Sequence, residues 1–167
     1  MPAETFDWIT PDLAVGACPP ADGWAALAAQ GIGAVVDLRE EDRDDEAAVR
    51  AAGLDFLHLP TPDLHPPSPA HLDAGVAFVR DELATGRKVL IHCQHGIGRS
   101  ALLALCVLSD AGMAPLEALT RAKDARERIS PSPSQYEGWA AWLAARGLQA
   151  PDAHTFGCIA YRHLARA

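Results

Sequence analysis

One stretch of the chain gathers residue types that work together in a single kind of chemistry: Ile91-His92-Cys93-Gln94-His95-Gly96-Ile97-Gly98-Arg99-Ser100. A cysteine leaves an apolar run, five residues with two glycines follow, and Arg99-Ser100 opens a second apolar run. Gly96 and Gly98 let the backbone curl so that successive N–H groups point inward, making a nest for an anion. A helix beginning near Arg99 adds its positive dipole end and its unpaired N–H groups. Arg99 supplies a planar fork for two phosphoryl oxygens. Cys93 sits at the base of this cradle, where the positive field favours the thiolate, and a thiolate beneath a bound phosphate is placed for in-line attack on phosphorus. Ser100 can donate a hydrogen bond to the sulfur and make it a better leaving group in the second step. Gln94, His95, Gly96, Ile97, Gly98 and Arg99 form the expected phosphate-binding set, with His92 behind them ordering the loop through its ring.

Cleavage of a P–O bond also calls for a proton on the leaving oxygen. Asp63 is the candidate acid, thirty residues before Cys93 in Leu59-Pro60-Thr61-Pro62-Asp63, with Pro66 and Pro67 stiffening the segment after it. Its alternative is a loop aspartate that only caps a turn. Asp55, inside a strand, and Asp73, on a helix, are poorer candidates.

The elements that position these residues are legible from hydrophobic periodicity. Leu13–Ala17, Ala34–Leu38, Leu54–Leu59 and Val89–Ile91 read as short strands, and Asp22–Gln30 and Glu46–Ala52 as helices stopped by Gly31 and Gly53. Ser68 caps a helix with Pro69 at its first position, which runs to about Thr85. Beyond Arg99 the pattern is helical throughout: one helix to about Ala111, one from Pro115 to about Arg128, one through Trp139 and Trp142, and one over about Ala153–Ala165. The expectation is a single α/β domain over residues 1–167, with a central four- or five-stranded, mostly parallel sheet, flanking helices and a helical C-terminal half. Strands joined through helices lie parallel, so the loops after Leu38, Leu59 and Ile91 surround one crevice.

The Cys-X5-Arg loop, with its preceding His92 and following Ser100, resembles the signature of the cysteine-based protein phosphatases. Leu59–Asp63, Val36-Asp37-Leu38-Arg39 and Arg128-Ile129-Ser130-Pro131 extend that resemblance to the small dual-specificity type, from about residue 5 to 145. The resemblance implies a phosphocysteine intermediate, with Asp63 as general acid on a mobile loop, Cys93, Arg99 and Ser100 as catalytic partners, and no metal or organic cofactor. It implies a phosphorylated protein or peptide as substrate; because Gln94, His95 and Ile97 give the cradle no fixed cation and the net charge is −8, phosphotyrosine monoesters, with phosphoserine and phosphothreonine beside them, are expected ahead of phosphoinositides and nucleic-acid phosphates. The alternatives are a phosphoinositide or other small-molecule phosphatase on the same fold, and a non-catalytic phosphate binder. Low-molecular-weight tyrosine phosphatases carry the loop near the N-terminus and their aspartate downstream, the reverse of the order here. Sulfur transferases of the rhodanese type carry a catalytic Cys on a similar loop, but the Gly-X-Gly-Arg-Ser ending and an upstream acid fit phosphate better.

Composition narrows the partners. The 167 residues are 49% apolar and 22% charged, with a formal charge of −8, which suits a globular chain and opposes nucleic-acid or anionic-membrane binding. No apolar run spans a bilayer, and Met1–Asp7 has acids where a secretory leader has a basic region, so the expected compartment is the cytoplasm. Arg39–Glu46 carries six acids, read as a solvated helix start, with a negative lip on the crevice as the alternative. Gln135 resembles, loosely, a water-orienting glutamine, against helix packing as the favoured reading. His58, His65, His71, His154 and His163 lack metal-ligand spacing, Cys106 reads as core, and Cys18 and Cys158 are the possible disulfide partners of Cys93 under oxidation.

Overall fold

The computed structural model describes residues 5–166. Its five strands are β1 (Phe6–Trp8), β2 (Leu13–Gly16), β3 (Ile32–Arg39), β4 (Asp55–Thr61) and β5 (Lys88–His92). They form one sheet in the order β1-β2-β5-β3-β4. β2, β5, β3 and β4 run parallel, and β1 pairs antiparallel with β2 at the edge. The helices are α1 (Trp24–Ala29), α2 (Glu46–Ala51), α3 (Pro69–Ala84), α4 (Arg99–Asp110), α5 (Pro115–Ala125), α6 (Pro133–Ala144) and α7 (Ala153–Ala160), followed by a 3-10 turn over Leu164–Arg166. The expected domain boundaries at residues 1 and 167 lie outside the described residues.

The strands are apolar on both faces because both faces are covered. Val15, Val36 and Ile91 pack into the larger core with α3 to α7, while their neighbours Ala14, Val35 and Leu90 pack against Trp24, Leu27 and Val49 of α1 and α2. α4 is buried over nearly its whole length, from Arg99 to Ser109, which makes it the central helix of the larger layer. Ser68 caps α3 as expected, accepting from the His71 N–H at 3.1 Å, with Pro69 in the first turn.

Most elements begin or end within a residue or two of expectation, β3 running over Ile32–Arg39 and β4 over Asp55–Thr61, and three differences are larger. β1 was not anticipated, since three residues are too few to show a period, and it exists by pairing with β2. α5 ends at Ala125, and Arg126 is extended at φ −140° and ψ 94°. α7 ends at Ala160, short of the expected Ala165.

The C-terminal ends of β2, β5, β3 and β4 share one edge of the sheet. The three segments expected to converge do so there: the acidic stretch after β3, the proline-rich segment after β4 and the glycine-rich loop after β5.

Candidate active site

The loop between β5 and α4 is shaped by where its carbonyls go. Cys93 O is 3.2 Å from His92 Nδ1, and Gln94 O accepts from the Cys18 N–H at 3.2 Å. His95 O and Gly96 O accept from the Arg126 guanidinium at 3.0 and 2.9 Å. Ile97 O and Gly98 O accept from the N–H groups of Ser130 and Leu102, both at 2.9 Å. With every carbonyl from Cys93 to Gly98 held from outside, the N–H groups turn inward, and those of Gly96 and Ser100 are directed at the Cys93 sulfur. Gly96 is essential to the curl: its φ is +68°, and a Cβ there would lie 2.4 Å from the carbonyl carbon of Gly16.

Cys93 is buried, with its Sγ 3.2 Å from Ser100 Oγ. Burial alone would push the thiol up. The Ser100 hydroxyl, the N–H groups of Ser100 and Gly96, and the Arg99 charge outweigh burial and hold the thiol below its ordinary value. Cys106 and Cys18 are pushed up by burial, which the Arg39 charge opposes at Cys18. All four thiols are free; Cys18 Sγ lies 3.1 Å from Arg39 Nη1, and Cys158 is exposed on α7.

Arg99 lies at the first position of α4 with its side chain buried. Its Nη1 and Nη2 reach the Glu41 carboxylate at 2.6 and 2.8 Å, Nη1 also donates to Thr61 O at 2.8 Å, and Asp63 Oδ1 is 3.6 Å from Nη2. Arg99 Nε is buried without a hydrogen-bond partner among the described residues, an open donor beside the cradle. Hydrogen bonds from Arg99 hold the Glu41 carboxyl down at about 2.

Asp63 stands on the segment after β4, largely exposed, and lines the same cavity of about 120 Å³ as Cys93, His95, Ile97 and Arg99. Its Oδ1 accepts from the Leu64 N–H at 2.9 Å, so the turn-capping reading is realised alongside its place at the cavity. Leu64 has φ +67°, uncommon for a branched side chain.

Beneath the loop lies a buried charge network. His92 Nε2 is 2.6 Å from Asp44 Oδ2, and Arg39 donates to Asp37, to Asp44 Oδ1 at 3.0 Å and to Gln94 Oε1 at 3.3 Å. Burial would favour the neutral His92 ring, but the Asp44 and Asp37 carboxylates raise its proton affinity above the ordinary value. Asp37, Asp44 and His92 have the spacing of a metal-ligand group, yet the Arg39 guanidinium already bridges both carboxylates, so a cation occupies that role.

The structure therefore brings Cys93, Arg99, Ser100, Asp63 and the residues of the 94–98 loop to one place, with His92 behind the loop as expected. It corrects the reading of the acidic run as a solvated helix start. α2 begins only at Glu46 with Asp45 as its cap, Asp44 is buried on His92 and Arg39, and Glu41 is on Arg99. It shows Gln135 as both a packed helix residue and part of the cavity wall, its Oε1 accepting from the Ser132 N–H at 2.8 Å. Arg126 and Glu41 were not singled out from sequence, because each acts through partners 30 or more positions away.

Residues 13–113 match the family model described as "Tc-R-P: Polymorphic toxin system, DSP-PTPase phosphatase". The chain is 30% identical over 134 residues to the phosphatidylglycerophosphate phosphatase PTPMT2 of Arabidopsis thaliana, covering 78% of this chain and 59% of that protein. It is 31% identical over 111 residues to dual specificity protein phosphatase 12 of Homo sapiens, covering 65% of this chain and 32% of that one. It thus spans less than two thirds of the length of either relative. The crystal structure of PTPMT1 in complex with PI(5)P superposes with a TM-score of 0.79 at 26% identity, over 86% of this chain and 99% of that one.

Proposed function

The chain belongs to the DSP-PTPase phosphatase family described from polymorphic toxin systems, and from that premise we propose that it hydrolyses phosphomonoesters through a phosphocysteine, with phosphotyrosyl proteins as its substrates ahead of phosphoseryl and phosphothreonyl ones. Arg99 and the inward N–H groups of Gln94 to Arg99 bind the phosphoryl oxygens, and binding draws part of the guanidinium away from Glu41. The Cys93 thiolate attacks phosphorus in line as Asp63 hands its proton to the leaving oxygen. Water then attacks the phosphocysteine with Asp63 as base, and Ser100 donates to the departing sulfur. Charge stabilisation by preorganised donors carries most of the rate. The observation that carries this reading is the loop itself, with six carbonyls fastened outside and a depressed thiol at its base.

Charge at the mouth supports the single-phosphate substrate. Among the described residues Arg99 is the one Lys or Arg lining the cavity, and the carboxylates of Glu41 and Asp63 already face its guanidinium. A second phosphate would meet those carboxylates, whereas a phosphotyrosyl ring would meet Leu64 and Ile97. A second reading, a phospholipid monoester, is favoured by the name of the Arabidopsis relative. The test is kcat/KM at two salt concentrations for a phosphotyrosine peptide, a phosphoserine peptide, and phosphatidylglycerophosphate and a phosphoinositide in vesicles. The peptide reading expects the phosphotyrosine peptide to lead at both. Higher efficiency on either lipid overturns it. No helix among the described residues is long and apolar enough to cross a membrane. The cytoplasmic expectation is retained here as part of the proposal.

A further inference from the structure

The segment that carries Asp63 is fastened to α6 by three successive contacts. Ser132 Oγ donates to Leu64 O at 2.7 Å, and Gln135 Nε2 donates to His65 O at 3.2 Å. Gly138 then lies so close to Pro66 that a Cβ on it would stand 2.4 Å from Pro66 Cβ. Ser132, the cap of α6, is followed at steps of three by Gln135 and Gly138, each neighbouring the next along the helix surface, and the three meet residues 64, 65 and 66 in order. The Gln135 amide is engaged at both ends: its oxygen closes the capping box with the Ser132 N–H, while its nitrogen reaches the loop. Gln135 also abuts the phosphate loop, since a Cβ on Gly98 would stand 2.4 Å from Gln135 Oε1. Leu64, in the turn between these contacts, holds a left-handed φ that free chains disfavour.

We infer that Ser132, Gln135 and Gly138 are positioning residues that clamp the Asp63 segment closed over the cradle, with Gln135 the strut between the two loops. This rests on the assignment of Asp63 as general acid. A glutamine engaged on both ends of its amide is a brace, and the Asp63 carboxyl is delivered ready for proton transfer. A released segment would keep the thiolate and the phosphate cradle but misplace the acid, so only substrates that need the proton would suffer.

The test compares phenyl phosphate, a poor leaving group, with nitrophenyl phosphate, a good one, in Gln135→Met, Gly138→Ala, Asp63→Ala and the two double variants with Asp63→Ala. Gly138→Ala touches no polar group and improves helix propensity, so it remains decisive if Gln135→Met fails to fold. Each clamp variant is expected to lose about 10²-fold in kcat on phenyl phosphate, the size of a misplaced catalytic group, and much less on nitrophenyl phosphate. The basic limb of its pH profile should flatten as in Asp63→Ala. In the Asp63→Ala background neither change should cost more, because the clamp acts through Asp63. Equal losses on both esters, or losses additive with Asp63→Ala, would refute the clamp. A clear leaving-group effect in Asp63→Ala with none in either clamp variant refutes the clamp alone. No such effect in Asp63→Ala removes the general acid, and the clamp with it.

Discussion

Ser100→Ala isolates one hydrogen bond in the reaction centre. Ser100 is fully buried, and its Oγ lies 3.2 Å from Cys93 Sγ, with no other side chain competing for the hydroxyl among the described hydrogen bonds. A hydrogen bond to a charged group contributes about 1.5–3 kcal/mol. Its loss should therefore raise the Cys93 pKa, weakening the site's preference for the thiolate by about tenfold to hundredfold. The N–H groups of Ser100 and Gly96 and the Arg99 charge remain, so the rise is partial. The same energy acts on the second step, where the sulfur leaves phosphorus, and should slow it about tenfold to hundredfold. The pH dependence of iodoacetamide alkylation, followed by intact mass in a Cys158→Ser background, measures the first effect. Cys18 and Cys106 stay slow at neutral pH because burial raises both. Rapid mixing with nitrophenyl phosphate measures the second, as a burst of nitrophenolate larger than that of the parent protein. An alkylation midpoint unchanged from the parent, with a burst no larger than the parent's, would show that Ser100 does not stabilise the thiolate.

Cys93→Ser should abolish turnover while vanadate still binds, since a hydroxyl there is not ionised at neutral pH; near-parental activity would end the phosphocysteine reading. Asp44→Asn should destabilise the fold by about 3–5 kcal/mol, as expected when one partner of a buried ion pair is removed. The folded His92 binds its proton more tightly than the unfolded ring, so its contribution is fully present below about pH 6.5 and fades as pH rises through the folded value. Urea titrations should therefore show a wider gap between parent and Asp44→Asn at pH 6 than at pH 8; a constant gap would remove His92 from the pair. Gly96→Ala forces a side chain into a left-handed φ and against the Gly16 backbone, so activity should vanish and Tm should fall by at least about 4 °C. Unchanged Tm with full activity would contradict the packing under the cradle.

What the chain shows without a structure is what short sequence separation controls. The nucleophile, the two glycines, the arginine and the serine fall within eight consecutive positions, and the strand before and helix after them are written in the same few residues. The Ser68 and Pro69 start of α3 is equally local. Asp63 could be proposed at a distance because parallel strands bring their C-terminal ends to one edge. Tertiary structure alone decided the roles that depend on a partner far along the chain. Glu41 is an ordinary acid in an acidic run until β3 and α4 set it 2.6 Å from Arg99. Arg126 was expected in the last turn of a helix reaching about Arg128, but α5 stops one residue before it, and its side chain holds the carbonyls of His95 and Gly96. Asp44 is indistinguishable from Asp42 or Asp45 in sequence, and becomes the partner of His92 only because β3 and β5 pair with Asp37 opposite His92. Gln135 looked like a packing residue because its period on α6 is apolar, and its reach to His65 depends on how α6 crosses the segment after β4. A charged or amide side chain carries no sequence mark of which partner it will meet; burial and strand order make that choice, by leaving each such group only the few neighbours able to satisfy it.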